Sequence, residues 1–523
     1  MSDFFKRIIS AITSFFMTIA AFFGLSQPAP ESPYGQWLLE NVPAYEAGQY
    51  VETLYDTGTG YEFEVGRTPK HPSRMQLIRE TTLQDAQNYE TRLQSNGYRK
   101  TFSNTIGDLY CFALQKGDSG VYCIYDGKTN LTRVIDDCCN TASLDAFGYT
   151  ESTPPEPVTE PTEPIEPIET EPFDPQETLV NEDNAPTEQS PSSTEPTEPT
   201  ETVPTTEPYI APADFVLHPG VYQFSFPYYD DNHKDSKIYA KNGMLYVIVL
   251  SDGKLVIIDG GAPYQCADQN INAFIRFVRE ITGKSSGTPM DIALWYGTHC
   301  HADHIDFFYK LIHYHRDEFR LERVMFNYQS NNVIAYAKRV DKFRNLLKKY
   351  YPNAKYVKCR SGYKFSFLDT QFEVLYTHED AVDPETVTLR PTNANDCCSV
   401  LKVTLSGKTF LFLGDANTVT QGVLLKNYGK SVLHADVLQA SHHMINDLTD
   451  LYPVVAPTYV MCPQSKSRTI KLYPSYYTFL KLAPAQRMYF ADQGIYGFLP
   501  QENGTISVSY KWVYCVGYDG SGL

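Results

Sequence analysis

The sequence of 523 residues predicts an α/β fold for its C-terminal part, and three observations support this class. Between residues 213 and 523, apolar runs with strand character alternate with segments of helical periodicity. Asn-Gly and Asp-Gly turns join the first of these runs. A dense histidine and aspartate cluster directly follows one apolar strand, "MDIALWYG". No period of about 20–50 residues repeats, which argues against a solenoid or a propeller.

The N-terminus has the pattern of a targeting segment. Lys6 and Arg7 precede an apolar stretch from Ile8 to Leu25, which is typical of a secretory signal peptide or an N-terminal membrane anchor over residues 1–30. An amphipathic or buried helix is the alternative. No A-x-A cleavage site is evident, so cleavage and retention are both open. We therefore expect a bacterial protein that is secreted or anchored at the outer side of the cell membrane.

Residues 33–150 are predicted to form a small α+β domain of unknown role. The segment "TLQDAQNYETRLQSNGY" has helical character and ends at Gly97. The following "DLYCFALQKGDSGVYCIYDGKTNLTRVIDD" predicts three short strands separated by Gly-Asp and Asp-Gly turns. No nucleophile arrangement or ligand spacing is visible there, so a binding or spacer role is expected.

Residues 151–210 are predicted to be a disordered acidic linker. Positions 151–208 hold fourteen prolines, sixteen acidic residues and no Lys or Arg. Such a composition cannot build a core and favours an extended, self-repelling chain. The formal charge of −18 is thus concentrated here, and the remainder carries only about −2. Without a positive footprint, binding to duplex nucleic acid is not expected.

The final segment, 213–523, contains the elements of the α/β domain. "KIYAKNGMLYVIVLSDGKLVIIDGG" predicts consecutive strands, and "NINAFIRFVREI" predicts a helix with one apolar face. Further strands are expected at "QFEVLYT", "SVLKVTL", "KTFLFLGD" and "ADVLQAS".

The stretch "GTHCHADHID" carries the strongest chemical signal. Its H-x-H-x-D-H pattern consists of His299, His301, Asp303 and His304. On a loop after a strand, the first two imidazoles can converge on one cation while the Asp-His pair turns toward a second. Imidazole nitrogens with a carboxylate suit zinc or a related first-row metal. A chance surface cluster is the alternative.

Four segments extend this pattern along the chain. "LVIIDGG", "THCHADH", "FLFLGDA" and "VLQASHH" resemble, in order and spacing, the motifs of the metallo-β-lactamase superfamily. Within it, the last two are most similar to the hydrolase domain of bacterial DNA-uptake competence proteins and to secreted phosphorylcholine esterases. The resemblance implies an αββα sandwich with metals at the top edge of two packed sheets.

The resemblance also implies ligands. His299 and His301 would bind a first metal, Asp303 and His304 a second, and Asp415 would bridge both. Either His442 or His443 would complete the second site, and we expect His442, which lies nearer the strand end.

The remaining implied roles concern catalysis and support. The catalytic group would be Asp303, Asp415 and His443. Asp259 would orient the ligand loop through hydrogen bonds.

Two positions depart from the superfamily pattern. Asn395 stands where many members have a third histidine for the first metal. His378 could replace it, although a solvated loop histidine is the preferred interpretation. Downstream, Tyr473 stands where the competence-type domains have a histidine, and tyrosine cannot replace histidine as a neutral metal ligand.

The ligand cluster predicts a metal-dependent hydrolase that acts through hydroxide generated on bound metal, and the resemblance to the competence-type branch implies in particular a phosphodiesterase. One or two zinc ions are expected, with manganese or iron as alternatives. The substrate would be an ester or phosphodiester, for instance a component of a cell-surface polymer, although the superfamily also hydrolyses thioesters, lactones and β-lactams. The alternative is a surface binding protein with a partly degenerate metal site.

Overall fold

In a computed structural model, the described residues form one compact unit on both sides of the predicted linker. The structure describes residues 32–57, 73–117, 119–137, 208–226, 244–328, 337–383, 386, 393–445, 448–466, 469, 487–492 and 494–511. The N-terminal targeting pattern, residues 151–207 of the predicted linker and Tyr473 lie outside these ranges. Within them, no helix has both the length and the apolar character needed to cross a membrane.

The N-terminal part is a six-stranded antiparallel sheet with one helix against it. In the order β1-β2-β6-β5-β4-β3, the sheet contains β1 (Gln49–Asp56), β2 (Arg74–Arg79), β3 (Arg99–Ile106), β4 (Leu109–Lys116), β5 (Ser119–Asp126) and β6 (Leu131–Asp136). Helix α1 (Leu83–Ser95) begins with a capping box between Thr82 and Asp85. Its buried Tyr89 and Leu93 pack on one face of the sheet. The predicted helix and the three predicted strands β4, β5 and β6 are all present.

A second sheet has nine strands and carries three helices on one face. Its strands are β7 (Gly220–Gln223), β8 (Tyr246–Val249), β9 (Leu255–Ile258), β10 (Met290–Gly297), β11 (Phe319–Leu321), β12 (Arg323–Phe326), β13 (Lys355–Lys358), β21 (Ile495–Pro500) and β22 (Ile506–Lys511). The helices are α2 (Asp268–Thr282), α3 (Asp306–Tyr314) and α4 (Ala337–Tyr350). Their apolar residues form one core with the β9 and β10 side chains Leu255, Ile257 and Trp295.

A third sheet has seven strands and carries the remaining helices. Its strands are β14 (Lys364–Phe367), β15 (Thr370–Tyr376), β16 (Val400–Leu405), β17 (Lys408–Phe412), β18 (Val437–Gln439), β19 (Tyr459–Cys462) and β20 (Met488–Phe490). The helices are α5 (Thr418–Asn427), α6 (Lys430–Leu433) and α7 (Leu451–Val455). Lys402 of β16 donates to the Val432 carbonyl, which places α6 on the outer face of this sheet.

The main core lies between the second and third sheets. Alternate residues of β8 and β9, including Tyr246 and Ile258, join the same core as Phe410 and Phe412 of β17. The rings of Tyr246 and Phe412 lie 5.4 Å apart between centroids, across the two sheets. With α2 to α4 outside one sheet and α5 to α7 outside the other, the predicted α/β class and αββα layering are confirmed.

The strand directions bring several chain segments to one edge. β9, β10 and β12 run parallel in one sheet, and β17, β18 and β19 run parallel in the other. β16 runs antiparallel to β17, so the start of β16 lies at the same edge as the end of β17. In open α/β sheets, ligands bind outside the carboxyl ends of parallel strands. The segments that follow β10, β17 and β18 carry the predicted ligands, and the segment after β9 carries Asp259.

Candidate metal centre

Asp259 supports the loop that follows β10. It lies directly after β9 in a left-handed conformation, with φ of 59°. Its Oδ1 accepts hydrogen bonds from the backbone N–H of Thr298 at 2.8 Å and from the Thr298 hydroxyl at 3.0 Å. Its Oδ2 lies 2.7 Å from Nδ1 of His304. The buried carboxylate therefore fixes both the start of the histidine loop and the orientation of the His304 ring.

Asp303, His304, Asp415 and His443 form one group of possible cation ligands. Their ligand atoms all lie within 4.8 Å of one another. Nε2 of His304 lies 3.2 Å from Oδ1 of Asp415, and Nε2 of His443 lies 3.0 Å from Oδ2 of Asp303. His443 Nε2 is also 3.7 Å from Oδ1 of Asp415.

His299, His301 and Asp415 form a second such group. Nε2 of His299 lies 2.9 Å from Nδ1 of His301 and 3.7 Å from Oδ2 of Asp415. The first group contacts Oδ1 of Asp415, whereas this one faces Oδ2. Asp415 therefore offers one oxygen to each group, which is the arrangement of a carboxylate shared by two cations.

The segment after β17 places Asp415 through close backbone contacts. The Asp415 N–H donates to Sγ of Cys398 at 3.0 Å. Gly414 precedes it with φ of +55°, and a Cβ there would lie 2.8 Å from the Thr298 hydroxyl oxygen. Only glycine accommodates both this conformation and this approach to the histidine loop. Sequence reasoning did not identify the positioning roles of Cys398 and Thr298; the place of Thr298 directly before His299 was the available signal.

The two adjacent histidines after β18 have different positions. The sequence expectation assigned His442 to the second site, but the structure brings His443 there and leaves His442 beside it. Nε2 of His442 lies 3.7 Å from Oδ2 of Asp415 and 3.4 Å from Nδ2 of Asn395, and its side chain is 24% exposed. The cause is a turn in which His442, His443 and Met444 all have positive φ, which no spacing rule anticipates for histidine.

Hydrogen bonding orients His443 as well. Its Nδ1 lies 3.4 Å from the carbonyl oxygen of Pro463, the residue after β19. The side-chain amide of Gln464 donates to the His443 carbonyl at 3.4 Å. A donor contact at Nδ1 leaves Nε2 free to act as a ligand, as at His304. Sequence reasoning missed this segment, since neither residue is titratable.

Unsatisfied buried atoms converge where a cation would sit. Nε2 of His304, Nε2 of His443 and Oδ1 of Asp415 are buried, and within the described part of the chain they make no hydrogen bond of acceptable geometry. Buried polar atoms without partners are costly, and those that remain need an explanation such as an ion. Two imidazoles and a carboxylate match the donor preferences of zinc and related metals. The residues present therefore fit a bound metal.

The charges of the site distinguish the two histidine groups. Burial, together with the neighbouring His304 and His301, lowers the pKa of His299 well below its usual range. Burial also lowers the pKa of His301. At His304 burial acts in the same direction, but Asp415 and Asp259 outweigh it and raise the pKa well above its ordinary value. His299 and His301 are thus neutral and ready to bind, whereas His304 holds a proton that a cation must displace.

The carboxylates are ionised in this setting. Burial alone would raise the pKa of Asp415, but His304, His443 and His442 hold it well below its usual range. Burial would also raise the pKa of Asp303, but the imidazole of His443, with Nε2 at 3.0 Å, outweighs it and holds this pKa below its usual range. Two ionised carboxylates among four or five histidine rings provide the negative charge that a divalent cation requires.

His378 does not belong to this centre. The sequence expectation of a solvated loop histidine is wrong, because its side chain is almost fully buried beside Glu379, at 3.5 Å between Nε2 and Oε1. It is in neither candidate ligand group among the described residues. Asn395, in contrast, lies at the centre next to His442, as its sequence position predicts.

Comparison with known proteins gives likenesses of structure only. No family model matches the sequence, and no curated protein matches it. A metallo-β-lactamase fold protein from Bacillus subtilis is 11% identical, with a TM-score of 0.30 over 50% of this chain and 94% of its own. A diphosphatase of the PhnP family is 12% identical, with a TM-score of 0.27 over 46% of this chain and 85% of its own. The short form of human tRNase Z is 10% identical, with a TM-score of 0.28 over 46% of this chain and 90% of its own.

Proposed function

We propose that the chain is a metal-dependent hydrolase of ester or phosphodiester bonds. The observation that carries this proposal is the position of Asp415, with Oδ1 toward His304 and His443 and Oδ2 toward His299. Zinc is the metal that we propose, with manganese or iron as alternatives for the same nitrogen and oxygen donors. Bound cations would polarise the scissile ester and would lower the pKa of a water molecule, so that hydroxide is available near neutral pH.

The residues of the chain have separate tasks in this proposal. Asp303, His304 and His443 would hold one cation, His299 and His301 the other, and Asp415 both. Asp259 keeps the His304 ring turned so that Nδ1 is satisfied and Nε2 is available. His442, with a side chain that is 24% exposed, and Asn395 lie beside the candidate centre, where a substrate oxygen could contact them.

The rival proposal is a surface binding protein whose metal site has decayed. It is favoured by Asn395, which stands where a third histidine is common in the superfamily that the motifs resemble. Against it, the ligand atoms of both groups converge, and Nε2 of His304, Nε2 of His443 and Oδ1 of Asp415 make no hydrogen bond of acceptable geometry within the described residues. A decayed site would be expected to lose the shared carboxylate, whereas Asp415 still lies between the two histidine groups. We therefore prefer the hydrolase.

Location and substrate are further parts of the proposal. The charged and apolar N-terminus, followed later by an acidic proline-rich segment, supports a protein exposed outside a bacterial cell. A phosphodiester or ester in a cell-surface polymer would be accessible there. Fold alone does not select among these esters, so the substrate class requires an assay.

The deciding experiment uses the purified full-length chain. Metal content is measured by elemental analysis, and hydrolysis is followed with a chromogenic phosphodiester, a thioester and a β-lactam in parallel. We expect bound metal and turnover of the phosphodiester, both reduced strongly in His301→Ala and Asp415→Ala. The exposed His218→Ala variant is the matched control and should behave as the wild type. Less than one metal per chain together with no turnover of any ester would refute the hydrolase.

A further inference from the structure

A buried cluster of six charged side chains lies where the small N-terminal sheet meets the larger sheets. It contains three cations and three carboxylates, Arg133, Lys358, Arg360, Asp137, Glu379 and Asp380. All six are buried, and Arg360 and Glu379 are fully so. The charges balance, which is the condition under which buried ions are tolerated.

The ion pairs cross the boundary in both directions. Arg360, from the larger part, donates from Nε to Oδ2 of Asp137 at 3.2 Å and from Nη2 to Oδ1 of the same carboxylate, while its Nη1 pairs with Glu379. Arg133, from the small sheet, lies 2.9 Å from Oδ1 of Asp380 and donates to the Glu379 carbonyl at 3.2 Å. Each part therefore offers an arginine to a carboxylate of the other, and such reciprocal pairing fixes one docking geometry.

Backbone contacts make the same boundary tight. Nδ2 of Asn104 donates to the Gly362 carbonyl at 3.0 Å. Gly362 has φ of +89°, and a Cβ there would lie 2.8 Å from Sγ of Cys111 in the small sheet. The rings of Phe102 and Tyr122 pack on Tyr363, with centroids 5.1 and 5.5 Å away. The boundary is thus as closely packed as a protein interior, which loosely tethered domains do not require.

The cluster also extends toward the edge that carries the candidate metal centre. Nδ2 of Asn327 donates to both carboxylate oxygens of Glu379, at 3.0 and 2.8 Å. Asn327 directly follows β12, whose Phe326 is the strand partner of Gly297, two residues before His299. The small sheet is therefore connected through Glu379 to the strand pair that bears the histidine loop.

We propose that the part of the chain that contains the small sheet, residues 33–137, stays bound to the larger part through non-covalent contacts alone. The covalent linker is not needed to hold the two parts together. Separation would return charged groups to water, but it would also break the directional contacts of Arg360, Arg133 and Asn104 across the boundary and open a packed apolar surface. Because the geometry is specific and closed to solvent, the two parts should stay together when the chain is cut between residues 138 and 207. The inference does not depend on hydrolase activity or on bound metal.

The test begins with a site for a sequence-specific protease placed within residues 151–205 of the full-length chain. After complete cleavage, size-exclusion chromatography with light scattering should give one particle with the mass of the uncut chain. Denaturant should separate it into its two fragments. Two soluble particles that elute separately under native conditions would overturn the proposal.

Variants then test whether the charged cluster and the close backbone contact at Gly362 hold the two fragments together. Asp137→Asn and Gly362→Ala should raise the dissociation constant of the cut protein by about tenfold or more. Glu52→Gln, an exposed carboxylate on the edge strand β1, and Gly407→Ala, a glycine with φ of +75° and open space around it, are the matched controls. If Asp137→Asn fails to fold, the Gly362→Ala comparison decides. If the cut protein has the same dissociation constant in all four variants, the proposed role of the boundary contacts is overturned.

Discussion

Nδ1 of His304 lies 2.7 Å from Oδ2 of Asp259, and both side chains are buried below the candidate metal centre. This contact directs Nε2 of His304 toward Asp415. Asp259→Asn keeps the shape but replaces an acceptor by a group that can donate, so the imidazole loses its fixed tautomer. Loss of such a supporting carboxylate typically weakens metal binding by about 10–100-fold. We expect the metal affinity of Asp259→Asn to fall by that factor, as measured by competition with a chelator.

The control for this variant is Asp252→Asn, which removes the same charge in the exposed turn before β9. It should bind metal as the wild type does. Unchanged metal affinity in Asp259→Asn would mean that the loop holds His304 without the carboxylate.

The positions of the paired histidines lead to a second prediction. His443 is in the four-residue ligand group, whereas His442 lies outside both groups. His443→Ala should therefore lower the metal content by about one ion per chain, because the second site loses one of its ligands. His442→Ala should retain the metal content of the wild type. Elemental analysis after dialysis distinguishes the two, and the reverse result would return His442 to the ligand position.

Two kinds of sequence information led to the candidate centre. The H-x-H-x-D-H spacing places its residues on one loop and does not depend on distant parts of the chain. The roles of Asp259 and Asp415, in contrast, were implied only by the resemblance of their motifs to a known superfamily. The choice between His442 and His443 could not be predicted in this way, since it depends on consecutive positive φ values that histidine seldom adopts.

The burial of His378 was not predictable for a different reason. Its surroundings come from the small sheet and from Arg360, and the pair of Arg360 and Asp137 is separated by 223 residues in sequence. Periodicity describes neighbours along the chain and carries no information about such contacts. Three of the six strands of the small sheet and its helix were predicted, but the docking of this sheet against the larger part was not.

The pKa values in the centre predict that metal binding releases protons. Asp415 and Asp259 raise the pKa of His304, and Asp415 with Asp303 raises that of His443. Since a cation binds only the unprotonated Nε2, metal affinity should fall as the pH is lowered from about 8 to about 6. Calorimetry at neutral pH in buffers of different ionisation enthalpy should show net proton release. Binding without proton release would contradict the raised pKa values.

His378 predicts how folding stability depends on pH. Burial lowers its pKa to about 4, against the opposing effect of Glu379 and with the support of Lys358 and Arg360. The folded state thus keeps His378 neutral at pH values where the unfolded chain, with a pKa near 6.5, is already protonated. Its contribution to the free energy of unfolding is complete above about pH 6.5 and is lost as the pH falls toward 4. By pH 5 the loss is about 2 kcal/mol.

Denaturant unfolding between about pH 7.5 and pH 5 measures this effect. We expect His378→Asn to lose less stability over that interval than the wild type, even if the variant is less stable at every pH. Glu379 does not affect stability in this pH interval, because its lowered pKa of about 2 places its own effect at more acidic pH. His218→Asn, at an exposed position, should keep the wild-type slope. If His378→Asn keeps that slope too, the acid sensitivity arises from groups other than this buried histidine.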